Sequence, residues 1–231
     1  MNEIPAKPIR KPPPPYIYNP PKGDPVVLFE DDHIIAVSKP SGLLSVPGRK
    51  EEHADSFMTR MQKNHPDAKI VHRLDMDTSG VMVMALNAQA HRTLNLQFER
   101  RETKKIYIAE LWGVMDADQG RVDLPLICDW PNRPLQMVDF DQGKSAQTDW
   151  EVLSRDEHKG ATRVALYPVT GRTHQLRVHM AEIDYPILGD DFYAHEAAFK
   201  GADRLMLHAH KLMVRHPISD EDIWFESPVP F

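Results

Sequence analysis

The chain has 231 residues, 41% hydrophobic and 27% charged, with a formal net charge of −6 and one cysteine, Cys128. That length holds one domain with a full core, or two small ones. A single cysteine excludes intramolecular disulfides and cysteine-based zinc clusters and suits a reducing cytosol, while the negative sum argues against a whole-surface nucleic-acid binder but allows a local basic groove.

Residues 1–25 hold nine prolines and no apolar core of a secretory signal, so they read as an extended tail or arm on the surface, and residues 26–231 as the domain proper. VVLFE and HIIAVSK, separated by an acidic turn, form a β-hairpin. KPSGLLSVPG (39–48) is a Pro/Gly-punctuated loop. Asp55 or Ser56 caps a short helix through His65, which Pro66 stops. KIVHRL and GVMVMAL are strands flanking residues 72–80, and Asn87 caps a helix with Ala90, Leu94 and Phe98 on one face. KKIYIAELWG, GRVDLPLI, AQTDWEVL and ATRVALYPV follow as strands. Gly171 to Ile183 is a turn into a helix with Leu176, Met180 and Ile183 on one face, and RLMLHAHKLMV and DIWFES close the chain as strands. Many strands on short turns with few helices give an α+β fold built on a mixed, mostly antiparallel sheet. No apolar run is long enough to span a bilayer.

The stretch HRLDMDTSG (72–80) carries the most chemistry. Its spacing imitates a calcium loop from Asp75 to Gly80, but position 12 is Leu86, which offers no ligand, and the flanks are β-like. Turn chemistry alone explains Asp77, Thr78, Ser79 and Gly80, and explains His72, Arg73 and Asp75 less well. The twelve histidines are scattered without an HExxH helix, and a zinc deaminase would need a PCxxC run.

HRLDMDTSGVMVMA resembles the HRLDxxTSGxxxxA signature of the RluA-type pseudouridine synthases, which isomerise uridine in RNA. KPSGLLSVPG, KKIYIAELWG, GRTHQLRVHM, YPILGDDFY and LHAHKL resemble further blocks of that family, in the same order from about Val26 to the end. LICDWPNRP and the short chain narrow the resemblance to members acting on 23S rRNA and tRNA stem-loops, and no S4-type RNA-binding domain is apparent.

The resemblance implies a pseudouridine-synthase fold with a central cleft, a cytoplasmic monomer, RNA as partner, and a reaction needing no cofactor and no metal. The uracil is cut from C1′, turned and rejoined through C5. By motif position Asp75 is the essential carboxylate, whether it attacks C1′, takes a proton from C2′ or adds to C6. Arg177 is its implied cationic partner, and Tyr107 is implied to stack on the uracil. A stacked nucleotide must first be flipped out. Arg73 is suited to fill the vacated stack. His72, Arg172 and Lys39 are the remaining candidates for RNA contact, with His72 and Lys39 equally readable as structural. Arg92, Arg100, Arg101, Lys104 and Lys105 form a basic cluster read either as phosphate contacts or as a solvated face.

Overall fold

A computed structural model describes residues 17–231. Most of the proline-rich tail lies outside the described residues. Its last part is pinned: the Tyr18 hydroxyl donates to Asp55 O (2.9 Å) and accepts from Leu44 N, and Arg60 donates to Gly23 O.

The strands are β1 (Val26–Glu30), β2 (Ile34–Lys39), β3 (Lys69–Ile70), β4 (Ser79–Ala85), β5 (Lys104–Trp112), β6 (Gln119–Asp123), β7 (Leu126–Cys128), β8 (Gln136–Val138), β9 (Gln147–Asp156), β10 (Ala161–Pro168), β11 (Leu207–Arg215) and β12 (Asp222–Glu226). The helices are α1 (Phe57–Met61), α2 (Ala88–Arg100), α3 (Gln175–Glu182) and α4 (Glu196–Phe199). One sheet runs β1-β2-β4-β11-β5-β10-β9-β6, with β3 paired to β4 and β12 to β11, and β7 and β8 form a separate hairpin. The fold is α+β.

Every pairing is antiparallel except β4 with β11, where Ser79 faces His208 and Gly80 faces Ala209. The sheet is thus two antiparallel halves joined at one short parallel seam. Gly80 has φ +116°, and a Cβ there would run into the Ala209 carbonyl, so only glycine permits this approach. β4 is buried along its whole length, with α2 on one face (Ala90 and Leu94 against Val81 and Val83) and α1 on the other (Phe57 and Met61 against Met82 and Met84). The other half packs α3 through Leu176 and Met180 against Leu111, Val164 and Leu166.

Several elements differ from the sequence reading. Ser56 does cap α1, in a reciprocal capping box with Thr59, but the helix stops at Met61. Asp55 is free of the cap because its carboxylate holds Arg60. GRVDLPLI divides at Pro125, which has no N–H for a ladder, so β6 joins the main sheet and β7 leaves it. The strand expected over KIVHRL is only two residues long. From Val71 to Thr78 the backbone leaves the ladder, and Ser79 and Gly80, expected in the turn, open β4 instead.

Candidate active site

The residues that leave the ladder form the floor of a cleft of about 1370 Å³. Their backbone polar groups need partners other than a strand, and loop 39–45 supplies them. Ser45 Oγ donates to Leu74 O (2.6 Å) and accepts from Leu74 N, Gly42 N donates to Met76 O (2.9 Å), and Ser41 Oγ donates to Asp77 O (2.7 Å). Lys39 completes the clamp. Its Nζ donates to Pro40 O, Leu43 O and Met76 O at 2.7–2.9 Å.

Lys39 is therefore corrected from an RNA contact to a structural pin: it is 0% exposed and all three donors are used. Burial draws its pKa down to about 7 while Asp77 and Asp75 pull the other way. Three carbonyl acceptors call for three N–H groups, which only the ammonium has.

Asp75 faces the cleft from this clamped loop. Tyr107 reaches it from β5. Burial, then the charge of Asp75, raises the phenol's pKa, so Tyr107 keeps its proton, and its hydroxyl makes no hydrogen bond among the described residues. His174, Arg177 and Asp191 line the same cleft. A smaller recess of about 110 Å³ opens between Asp75, Thr78, Tyr107, His174, Arg177 and Leu207. The Thr78 hydroxyl there is buried without a partner among the described residues.

Arg177 is 2% exposed on the buried face of α3, unlike a surface arginine. The direct pairing expected with Asp75 is replaced by another. Arg177 Nε and a terminal nitrogen form a two-pronged bond to Asp190 (2.8 and 2.6 Å), and the same terminal nitrogen reaches Asp191 (2.9 Å). Asp190 also accepts from Phe192 N and Tyr193 N. Burial works against both charges, yet Asp190 keeps the guanidinium's pKa above its ordinary value and Arg177 holds Asp190 below the usual carboxylate range. The Asp75 charge also helps to hold the Arg177 pKa up, through space and without a direct contact.

Among the described residues, the basic group within ion-pair range of Asp75 is one the sequence reading did not single out. His174 Nε2 is 3.9 Å from Asp75 Oδ1. His174 has φ 54°, the left-handed region, directly before α3. A histidine inside GRTHQLR, three residues after Gly171 and directly before the expected helix, was the available signal. Asp77, read as a turn residue, also lines the cleft; burial, then Asp191, raises its carboxyl pKa against Arg177 and Lys39.

Among the RNA candidates, His72 is structural. Its Nε2 accepts from Val83 N (3.0 Å), its ring stacks on Phe98 at 4.5 Å, and burial lowers its pKa to about 3. Arg73 is exposed at the cleft with no ion pair or hydrogen bond among the described residues. Arg172 lines the cleft, its Nε on Ser145 O (3.1 Å). Of the basic cluster, Arg101 and Lys105 reach the cleft wall. The cleft is thus lined by carboxylates (Asp75, Asp77, Glu99, Asp191) and by basic side chains (Arg73, Arg101, Lys105, Arg172, Arg177).

Residues 33–182 match the family model described as RNA pseudouridylate synthase. The chain is 56% identical to the dual-specificity RNA pseudouridine synthase RluA of Yersinia pestis over 206 residues, which are 89% of this chain and 100% of that protein. It is 55% identical to the protein of the same name from Escherichia coli strain K12, over 93% of this chain and 98% of the other. Among solved structures it is similar to human RNA pseudouridylate synthase domain containing 1, with a TM-score of 0.75 at 26% identity over 94% of this chain and 86% of that one. A second human structure, domain containing 4, aligns with a TM-score of 0.70 at 25% identity, covering 89% and 88%.

Proposed function

This chain belongs to the RNA pseudouridylate synthase family and is an isomerase acting on RNA, and from that premise we propose that it modifies uridines in both 23S rRNA and tRNA stem-loops, with Asp75 as the reacting carboxylate. The observation that carries the assignment to Asp75 is its position: a carboxylate on a loop held rigid by Lys39, Ser41, Gly42 and Ser45, facing the cleft beside Tyr107 and coupled through space to the Arg177 charge.

The arrangement suits cleavage at an anomeric carbon. Charge develops on the sugar as the C1′–N1 bond breaks, and a fixed carboxylate stabilises it. The base is retained and re-adds, so no second carboxylate has to activate water. Tyr107 forms a wall for the uracil and, being protonated, can give a proton but not accept one at rest. The charges of the cleft suit the same substrate: the pocket at Asp75 and Tyr107 takes a neutral base, and Arg73, Arg101, Lys105 and Arg172 along the cleft hold the phosphate strand. The base reaches the floor by flipping, at about a few kcal/mol of unstacking. Arg73, exposed at the cleft and unpaired among the described residues, suits stacking in the gap.

The test has two arms. Asp75→Asn should form no pseudouridine on either RNA while melting and binding RNA like the parent; substantial remaining turnover would remove Asp75 from its role. Mapping pseudouridines in total rRNA and tRNA with the gene deleted and restored should show one site lost and regained in each RNA class. Loss in only one class would reject the dual specificity and leave the chemistry standing.

A further inference from the structure

The environment of Asp75 contains a second polar chain that the reaction described above does not use. It starts at the β7–β8 hairpin. Gln136 N, the first residue of β8, donates to the Tyr193 hydroxyl oxygen at 2.9 Å. That oxygen lies 2.7 Å from His174 Nδ1. On the other side of the ring, His174 Nε2 faces Asp75 Oδ1 at 3.9 Å. The ring is 8% exposed and packed in a T-shaped contact with Tyr193 and a tilted contact with Phe192, and Arg177 lies over both of those rings.

The hydrogens in this chain have a preferred order. The Asp75 carboxylate facing Nε2 favours the imidazole hydrogen there. That leaves Nδ1 bare, and a bare Nδ1 at 2.7 Å accepts from the Tyr193 O–H. The opposite tautomer would set a bare nitrogen against a carboxylate. Burial lowers the His174 pKa, with Asp75 opposing and Arg177 adding to the lowering, so the ring is neutral at neutral pH with one hydrogen to place.

Resting on the reading of Asp75 as the reacting carboxylate, we propose that His174 is a positioning residue for it: Tyr193 fixes the imidazole so that Nε2–H is aimed at Asp75 Oδ1 and orients that carboxylate during the reaction. At 3.9 Å the contact is longer than a hydrogen bond, as such pairs often are before substrate closes the site. The left-handed backbone of His174 is a cost accepted for this aim, because an ordinary conformation before α3 would send the ring elsewhere. The chain also joins Asp75 to the hairpin that carries Trp130 and Arg133, an exposed stacked pair with their groups 4.5 Å apart.

The proposal predicts a specific kinetic pattern in single-turnover assays on an anticodon stem-loop transcript. Tyr193→Phe keeps the ring and loses only the hydroxyl, and should slow the chemical step about tenfold with unchanged RNA affinity. His174→Ala should slow it about a hundredfold, His174→Gln should recover part of that through its amide N–H, and adding Tyr193→Phe to His174→Ala should change nothing further. A purely structural histidine would instead give additive losses, lower melting temperatures and no rescue by Gln, and that pattern overturns the proposal. Nitrogen NMR of the ring at pH 7 is independent of turnover. It should show Nε2 protonated and Nδ1 bare; the reverse tautomer, or an imidazolium, overturns the proposal even if Asp75→Asn is inactive as expected. Retained activity in Asp75→Asn with the expected tautomer would instead mean that the reading of Asp75 has failed.

Discussion

The Ser79 hydroxyl lies 2.8 Å from Nδ1 of His208, and these two residues face each other across the parallel seam. Arg204 donates to the same serine oxygen (2.6 Å), and His208 Nε2 faces the Ser227 carbonyl (3.1 Å). The hydroxyl therefore donates to Nδ1, and the ring's one hydrogen is on Nε2. Protonating Nδ1 would set donor against donor inside the seam.

This makes the seam acid-sensitive. Burial, chiefly, lowers the His208 pKa to about 4, below the unfolded value of about 6.5. Between those two values the unfolded chain binds a proton that the fold refuses, so stability falls as pH falls from about 6.5 to about 4 and this contribution levels off below that. His72, lowered to about 3, extends the loss further. Denaturant midpoints measured from pH 7 to pH 4 should drop, and His208→Gln should show a shallower drop. An identical slope in the variant would acquit His208.

Arg177→Lys keeps the charge and loses the fork. Asp190, 0% exposed, would keep at most one of its two bonds to residue 177, and Asp191 would lose its contact. Breaking a buried pair costs about 3–5 kcal/mol, so a drop toward that size is expected in chemical unfolding, together with impaired turnover. Parent-like stability and activity would show that any cation suffices.

Lys39→Met removes the clamp's centre while keeping much of its bulk. The Pro40 and Leu43 carbonyls lose their donor, at about 1–3 kcal/mol each if they stay dry, and Met76 O keeps only Gly42 N of its two described donors. Unfolding should show a loss of several kcal/mol, and RNA affinity of the folded fraction should be unchanged because the side chain never meets solvent. Weakened RNA binding without loss of stability would return Lys39 to the RNA-contact role.

Arg73→Ala tests the basic lining of the cleft. The side chain is exposed and unpaired among the described residues, so melting should be unaffected. RNA affinity should fall and the salt dependence of binding should flatten slightly if it contacts phosphate; a loss confined to the chemical step would fit stacking in the flipped-out gap instead.

Local signals in the sequence carried the elements well. The β1–β2 hairpin, α2 under its Asn87 cap, β5 with Tyr107 and α3 with Leu176 and Met180 all follow from periodicity and capping. The resemblance supplied the family and put Asp75, Tyr107 and Arg177 forward, and the fold brings all three to one cleft. What stayed hidden was pairing across the chain. KPSGLLSVPG reads as a loop, and nothing local says that Lys39, Ser41 and Ser45 replace a strand partner for residues 74–77. Arg177 reads as the partner of Asp75 because the acids it does hold, Asp190 and Asp191, belong to a different stretch. His174 drew no attention because its importance lies in a backbone conformation and in Tyr193, nineteen positions away.

Neither half of the sheet owns the cleft. β2, β4 and the loop between β3 and β4 bring Asp75, while β5 and α3 bring Tyr107, His174 and Arg177, and the seam between the halves has only two register pairs. Side-chain packing holds it closed, with Val81, Val83, Ala90 and Leu94 on one side and Leu212, Val214 and Phe225 on the other in one buried cluster. Turnover is therefore a gauge of how the halves dock: a slight opening along Ser79–Gly80 would separate the carboxylate from its charge partner while every strand on either side stayed intact.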